Sequence, residues 1–200
     1  MHGSAGHGNG HKGHSDHVMV ALESSLRDLG AGFHVFRDLP IGPGTVALVL
    51  VGRPGVYTIT ADGHSGTVTS AAGELRLSGR VPDKDLVGQA YGEAMAVRNH
   101  LRALRGTDLA VQPLLVFTHA YVHVSGPVAG VRVLPSKWLA EALHSAPERL
   151  TDATCVNIAT ALKATPPARK DSANGGTHDR SGRTRHGLRG VFERIVGVGS

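Results

Sequence analysis

The chain has one cysteine, Cys155, among its 200 residues. An intrachain disulfide is therefore excluded, which fits a reducing, cytoplasmic setting. A lone Cys in an apolar helical stretch reads as core packing rather than as a nucleophile. Aromatics are also scarce, at 4%, so Val, Leu and Ala must fill any core. No apolar run approaches the ~20 residues that span a bilayer, and the polar N-terminus has no signal-peptide core. There is no Gly-x-x-x-x-Gly-Lys-Ser/Thr phosphate loop and no Gly-x-Ser-x-Gly elbow. His119 and His123 stand four apart, but they read as loop and strand with no Glu beside them. A metalloprotease helix needs both.

What is present suffices for one domain with tails. Hydrophobic residues make up 40% of the chain, enough for a core. High Gly, Ala, Val and Arg usage fits a high-GC bacterial source. The net charge of +5 is unevenly placed. Arg169, Lys170, Arg180, Arg183, Arg185, Arg189 and Arg194 outweigh Asp171, Asp179 and Glu193 near the C-terminus. A basic tail favours polyanions, nucleic acid above all.

Residues 1–16 are Gly and His with almost nothing apolar. Such a segment cannot offset the entropy of ordering and is expected to be disordered. Imidazoles at His2, His7, His11 and His14 could wrap a soft divalent metal weakly, although their spacing matches no compact zinc site. The sequence calls for no cofactor.

Val18–Leu29 carries a helical apolar stripe at 18, 19, 22, 26 and 29, stopped by Gly30 and Gly32. Phe33–Leu39 reads as a strand, and Pro40–Gly44 as a loop. The densest β-forming stretch follows. Val46–Val51 and Val56–Ile59 flank Gly52, Pro54 and Gly55, the pattern of an antiparallel hairpin. Asp62-Gly63 reads as a turn, 66–70 as a third strand and Glu74–Leu77 as a fourth. Asp85 can cap a long helix from Leu86 to Arg105 with apolar positions 86, 87, 90, 94, 97, 101 and 104, ended by Gly106. Ala110–Phe117 reads as a buried strand whose pairing starts near Leu114, because Pro113 lacks an N–H. A loop around His119, a strand at Tyr121–Val124 and another at Val131–Leu134 come next. Helices are expected over 136–144 and over 151–164, the latter burying Ala153, Val156, Ile158, Ala159 and Leu162. Residues 165–187 form a polar basic linker, expected to be disordered. Residues 188–198 follow as a short amphipathic helix with Leu188, Val191, Phe192, Ile195 and Val196 on one side. The order predicts an α+β domain over 17–164, a mixed central sheet with a hairpin core flanked by helices.

One pattern is more specific. His34-Val35-Phe36-Arg37-Asp38 is followed by Val49-Leu50-Val51-Gly52-Arg53-Pro54-Gly55-Val56-Tyr57-Thr58-Ile59 and then Ser65-Gly66. Gln89 opens the long helix. With the strands Leu114–Phe117 and Val131–Leu134 and the helix Trp138–Leu143, this resembles the nuclease-related domain (NERD) family over residues 18–164. The resemblance implies a restriction-endonuclease-like fold with a D…(E/D)-x-K site on the hairpin. There, two carboxylates hold Mg²⁺ and a lysine helps orient water at the phosphate.

The matching positions have changed. The metal Asp falls on Ala47, the second acid on Thr60 and the lysine on Asp62. Alanine offers a metal nothing, and Asp62 reverses the sign the lysine would supply. The resemblance therefore implies a catalytically inactive member, a binding or scaffold module with non-specific nucleic-acid contact. Arg53, Gln89, Arg183 and Arg185 are the candidate contacts. No base-reading motif supports sequence specificity. One rival is a metal-dependent nuclease whose site has moved to Asp62, His64, Asp38 or Glu23. Another is a module that uses the 188–198 helix to meet an unidentified protein or a membrane surface.

Overall fold

The computed structural model describes residues 10–42, 44–106 and 108–165, with backbone alone for 10–17. All of them fall in one compact unit, Met1–Arg169. The basic stretch beyond residue 165, with Arg183, Arg185 and the 188–198 helix, lies outside the described residues. So do His2 and His7 and the side chains of His11 and His14.

The elements run α1 (Gly10–Arg27), β1 (Phe33–Ile41), β2 (Gly44–Gly52), β3 (Gly55–Ala71), β4 (Glu74–Leu77), α2 (Leu86–Arg105), β5 (Val111–His123), β6 (Arg132–Pro135), α3 (Leu139–His144) and α4 (Asp152–Lys163). The sheet order is β1-β2-β3-β5-β6, with β4 paired to β3 off that path. β2 is antiparallel to both β1 and β3, whereas β5 and β6 join in parallel. This is the expected mixed α+β sheet. The hairpin at its centre closes with Gly52 opposite Gly55.

Both faces of β2 are buried, which accounts for its unbroken apolar run. Leu48 and Leu50 pack with Tyr57 and Ile59 against Leu22 and Leu26 of α1 and Leu139 of α3. Val49, Val51 and Val56 point the other way, onto Val97 and Leu101 of α2 and Ile158 of α4. A third cluster, with Val68, Leu86, Phe117 and Val131, extends the core along β3 and β5. Asp85 caps α2 by accepting the Gly88 N–H at 2.7 Å, and Gly106 ends it in the left-handed region at φ 67°. Among the described residues no helix is long and apolar enough to cross a membrane.

Several local expectations are corrected. α1 begins at Gly10, ahead of Val18; once the apolar stripe has nucleated a helix, extension costs little per residue. The stretch read as a loop over 40–44 is a tight hairpin, with Ile41 opposite Gly44. Pro40 is tolerated because β1 is an edge strand. Asp62-Gly63 is not a turn. β3 runs through it, and the register to β5 shifts between Asp62 and Ser65 as a bulge. β5 pairs from Val111, not Leu114, and continues through His119 without a loop. In α2 Leu104 is exposed, and in α4 Ala153 and Val156 are exposed while Cys155 is buried. The buried stripe of α4 is Cys155, Ile158, Ala159 and Leu162, the i, i+3, i+4, i+7 spacing that faces the sheet.

Candidate functional site

β2 and β3 are paired only from Gly52–Gly55 to Val49–Thr58. Beyond that rung they splay. β2 stays with β1, through Leu48–Arg37 and Val46–Leu39, while β3 turns to β5, through Thr60–Leu115 and Asp62–Phe117. The gap is a cavity of about 570 Å³, closed from one side by Val18 and Leu22 of α1 and from the other by Gln89 and Glu93 of α2. Ala47, Thr60 and Asp62 all line it. The three sequence-matched positions are thus brought together where the strands part.

Asp38 also lines the cavity. Its backbone lies in the left-handed region at φ 49°, a conformation that Asp accepts more readily than most residues. The kink breaks the alternation of β1. Phe36, Leu39 and Ile41 all join the cluster under α2 and α4, so an even spacing becomes odd at Asp38.

Glu93 is the site residue that sequence reasoning missed. Thr60 Oγ1 donates to Glu93 Oε2 at 2.9 Å, and Gln89 Nε2 donates to Glu93 Oε1 at 2.9 Å. Both carboxylate oxygens therefore already hold a donor. The signal was present as Gln89 and Glu93 one helical turn apart, but the polar face of an amphipathic helix reads as solvent-facing.

Asp62 and Glu23 already have partners. Asp62 Oδ1 accepts the backbone N–H of His64 at 2.8 Å, a bond that holds the bulge. His64 Nε2 lies 3.2 Å from Ser78 Oγ, beside the end of β4. Glu23 pairs with Arg37 at 2.6 Å. Among the described residues no three His, Cys, Asp or Glu groups converge closely enough to hold a metal ion. The donors do not fit the divalent ion that the family pattern implies. Ala47 has no ligand atom, and Thr60 spends its hydroxyl on Glu93.

The lining carries Asp38, Asp62 and Glu93 against Lys84, so the cavity is acidic. Gln89 is in the cavity as a hydrogen-bond donor to Glu93. Arg53 is not. It sits in the hairpin turn, six residues along the chain from Ala47, or roughly 20 Å of strand. Its guanidinium pairs with Glu148 at 3.2 Å and with Asp152 at 3.1 Å. Its carbonyl accepts the N–H groups of Arg149 and Leu150 at 2.8 and 2.9 Å. The residue clasps the hairpin tip to the segment between α3 and α4.

Residues 10–118 match the model of the nuclease-related domain, and the chain belongs to that family. No curated protein matches the chain. Among solved structures, an EndoMS complex with double-stranded DNA is similar at 16% identity and a TM-score of 0.34, over 74% of this chain and 51% of the other. The chain thus spans about half of that neighbour's length.

Proposed function

We propose that this nuclease-related domain does not cleave nucleic acid and serves as a binding module that contacts it without sequence preference. The observation that carries the reading is the content of the splayed-strand cavity. It holds Ala47, Thr60 and Asp62, which the family resemblance aligns with the catalytic positions, and a Glu93 already satisfied by Thr60 and Gln89. Cleavage by this family's pattern needs two convergent carboxylates on a metal and a cation near the phosphate. A chain with its one thiol buried suits a cytoplasmic setting.

A second reading has one observation in its favour. Asp38, Asp62 and Glu93 line the same cavity, so a moved metal site would draw on these carboxylates, which do not converge on one point as they stand. One experiment separates the two. Supercoiled plasmid is incubated with the full chain and Mg²⁺ or Mn²⁺, beside Glu93→Ala and Asp62→Ala. The proposal expects the same background from all three. Metal-dependent nicking by the wild type that either substitution abolishes would establish the moved site instead. A gel-shift titration across salt tests binding; a complex that weakens as salt rises is expected, and none at low salt would remove the binding role.

A further inference from the structure

The acidic cavity between β2 and β3 repels phosphate, so an anion has to be met elsewhere on the domain. A second cleft, of about 510 Å³, opens beside β6 and shares no lining residue with the first. Its floor is apolar, with Leu114, Leu134 and Ala142. Gln112 and Arg132 are polar walls, and no carboxylate lines it. Trp138 stands at its rim with 51% of its surface open. Lys137 Nζ lies 5.4 Å from the indole centroid and adds a further positive charge.

The wall is built from behind. Gln112 is hydrogen-bonded to the hydroxyl of buried Tyr57, and the guanidinium charges of Arg149 and Arg132 both act on that hydroxyl. Arg37, Arg53 and Arg98 are each matched to an acid. Arg132 and Arg149, like Arg27, Arg80 and Arg102, have no carboxylate partner among the described residues, and of these Arg132 alone lines the cleft. The guanidinium of Arg132 and the amide of Gln112 therefore stand in the cleft beside an apolar floor with an open indole, and Arg149 adds positive charge behind Tyr57. The complementary ligand is planar and weakly polar at one end and anionic at the other. A nucleotide has both ends, and bases stack on aromatic rings whatever their identity.

We propose that the cleft of Gln112, Arg132 and Trp138 binds one nucleotide, its base against the indole and its phosphate on Arg132. The nucleotide is a unit of a single strand or a free monophosphate; the chemistry is shared. The inference rests on the nucleic-acid contact of the previous section and gives it a place. It does not depend on the absence of cleavage, which the plasmid assay reads separately.

Trp138 is the one tryptophan of the chain, so its fluorescence reports this cleft alone. The full chain is titrated at low salt with a short oligothymidylate, thymidine monophosphate and a blunt duplex. Saturable quenching is expected from the oligothymidylate, from the monophosphate, or from both; the strand alone identifies single-stranded nucleic acid, and the monophosphate identifies free nucleotide. Arg132→Ala should weaken binding about tenfold, the loss of one charge-assisted contact. Arg102→Ala, an exposed change on α2, should leave it unaltered. Trp138→Ala, followed by anisotropy of a labelled strand, should also weaken binding roughly tenfold, and it decides the matter if Arg132→Ala misfolds. No quenching by either single-stranded ligand, quenching by duplex alone, or undiminished affinity in Arg132→Ala would overturn the proposal.

Discussion

Thr60 gives its hydroxyl hydrogen to Glu93 across 2.9 Å and so ties β3 to α2 at the centre of the cavity. Thr60 is 5% exposed, so its hydroxyl has no ready substitute in water. Thr60, the residue that the family resemblance aligns with a carboxylate, is a donor to a carboxylate from another element. The carboxylate of Glu93 is held for structure, with one oxygen on Thr60 and the other on Gln89.

Glu93→Ala should therefore lower stability by about 1–3 kcal/mol, the usual cost of leaving a buried polar group without its partner. Glu93→Gln keeps an acceptor oxygen for Thr60 and should cost less. Urea denaturation of the three proteins checks the order. Equal losses in the two variants would mean that the Thr60 bond contributes nothing.

Restoring acids tests whether the cavity still has the shape of a metal site. The double substitution Ala47→Asp with Thr60→Glu adds two carboxylates beside Glu93. Like charges that close disfavour one another, so the melting temperature in EDTA should fall below that of the wild type. Mn²⁺ should then restore it, while leaving the wild type unmoved, because binding to the native state alone stabilises it. A variant indifferent to Mn²⁺ would show that the splayed strands no longer present ligands at coordinating distance.

Arg53→Ala separates clasp from contact. The side chain makes two ion pairs, to Glu148 and Asp152, and all three groups are largely solvent-exposed. Exposed pairs contribute about 0–1 kcal/mol each, so the loss in stability should be small. Retardation of nucleic acid in a gel should not change. A clear loss of binding with stability intact would return Arg53 to the interface.

Much of the frame was legible because each signal had one physical meaning. Asp85 and Gly106 bracket α2 since a capping carboxylate and a left-handed glycine do little else. The hairpin at Gly52–Gly55 was equally plain. The misread strands share a cause, which is that tertiary pairing overrode a local breaker. Pro113 sits opposite Thr58 within the ladder. β6 first pairs at Leu114, so β5 has a neighbour on one side only there and a missing N–H is tolerated. Asp62-Gly63 carries turn residues but serves a bulge, where Asp62 bonds the His64 N–H much as it would in a turn. Within the site, Ala47, Thr60 and Asp62 were singled out by the family resemblance, and all three line one cavity. Glu93 was not, because nothing local says that one polar residue of a helix meets a strand rather than water.

The hairpin can be tested at its tightest approach. A Cβ added at Gly52 would stand 2.5 Å from Phe33 Cδ1 and 3.1 Å from the Gly32 carbonyl oxygen. Phe33 is the residue paired with Gly52, and its ring also packs edge-on to His144, 6.0 Å between centroids. The ring must move, and its contact with α3 moves with it. Gly52→Ala should cost about 1–3 kcal/mol, in the range for overpacking. Thermal denaturation measures it; a neutral substitution would mean that Phe33 has room to rotate away.

Tyr57 links stability to alkaline pH. Burial pushes its phenol above the ordinary tyrosine value, and the nearby charges of Arg149 and Arg132 and the bond to Gln112 only partly offset this. The folded state therefore holds the proton more tightly than the unfolded chain. The sign follows from proton linkage: the contribution is complete below the unfolded value of about 10 and is lost as pH rises through the higher folded value. Tyr57→Phe removes the ionisable group. The variant should be less stable near neutrality by about 1 kcal/mol, for the lost bond to Gln112. Between about pH 9 and pH 11 its stability should fall less steeply than that of the wild type. Parallel slopes would mean that Tyr57 ionises within the folded protein as freely as in the unfolded chain, and that the network behind the nucleotide cleft is open to water.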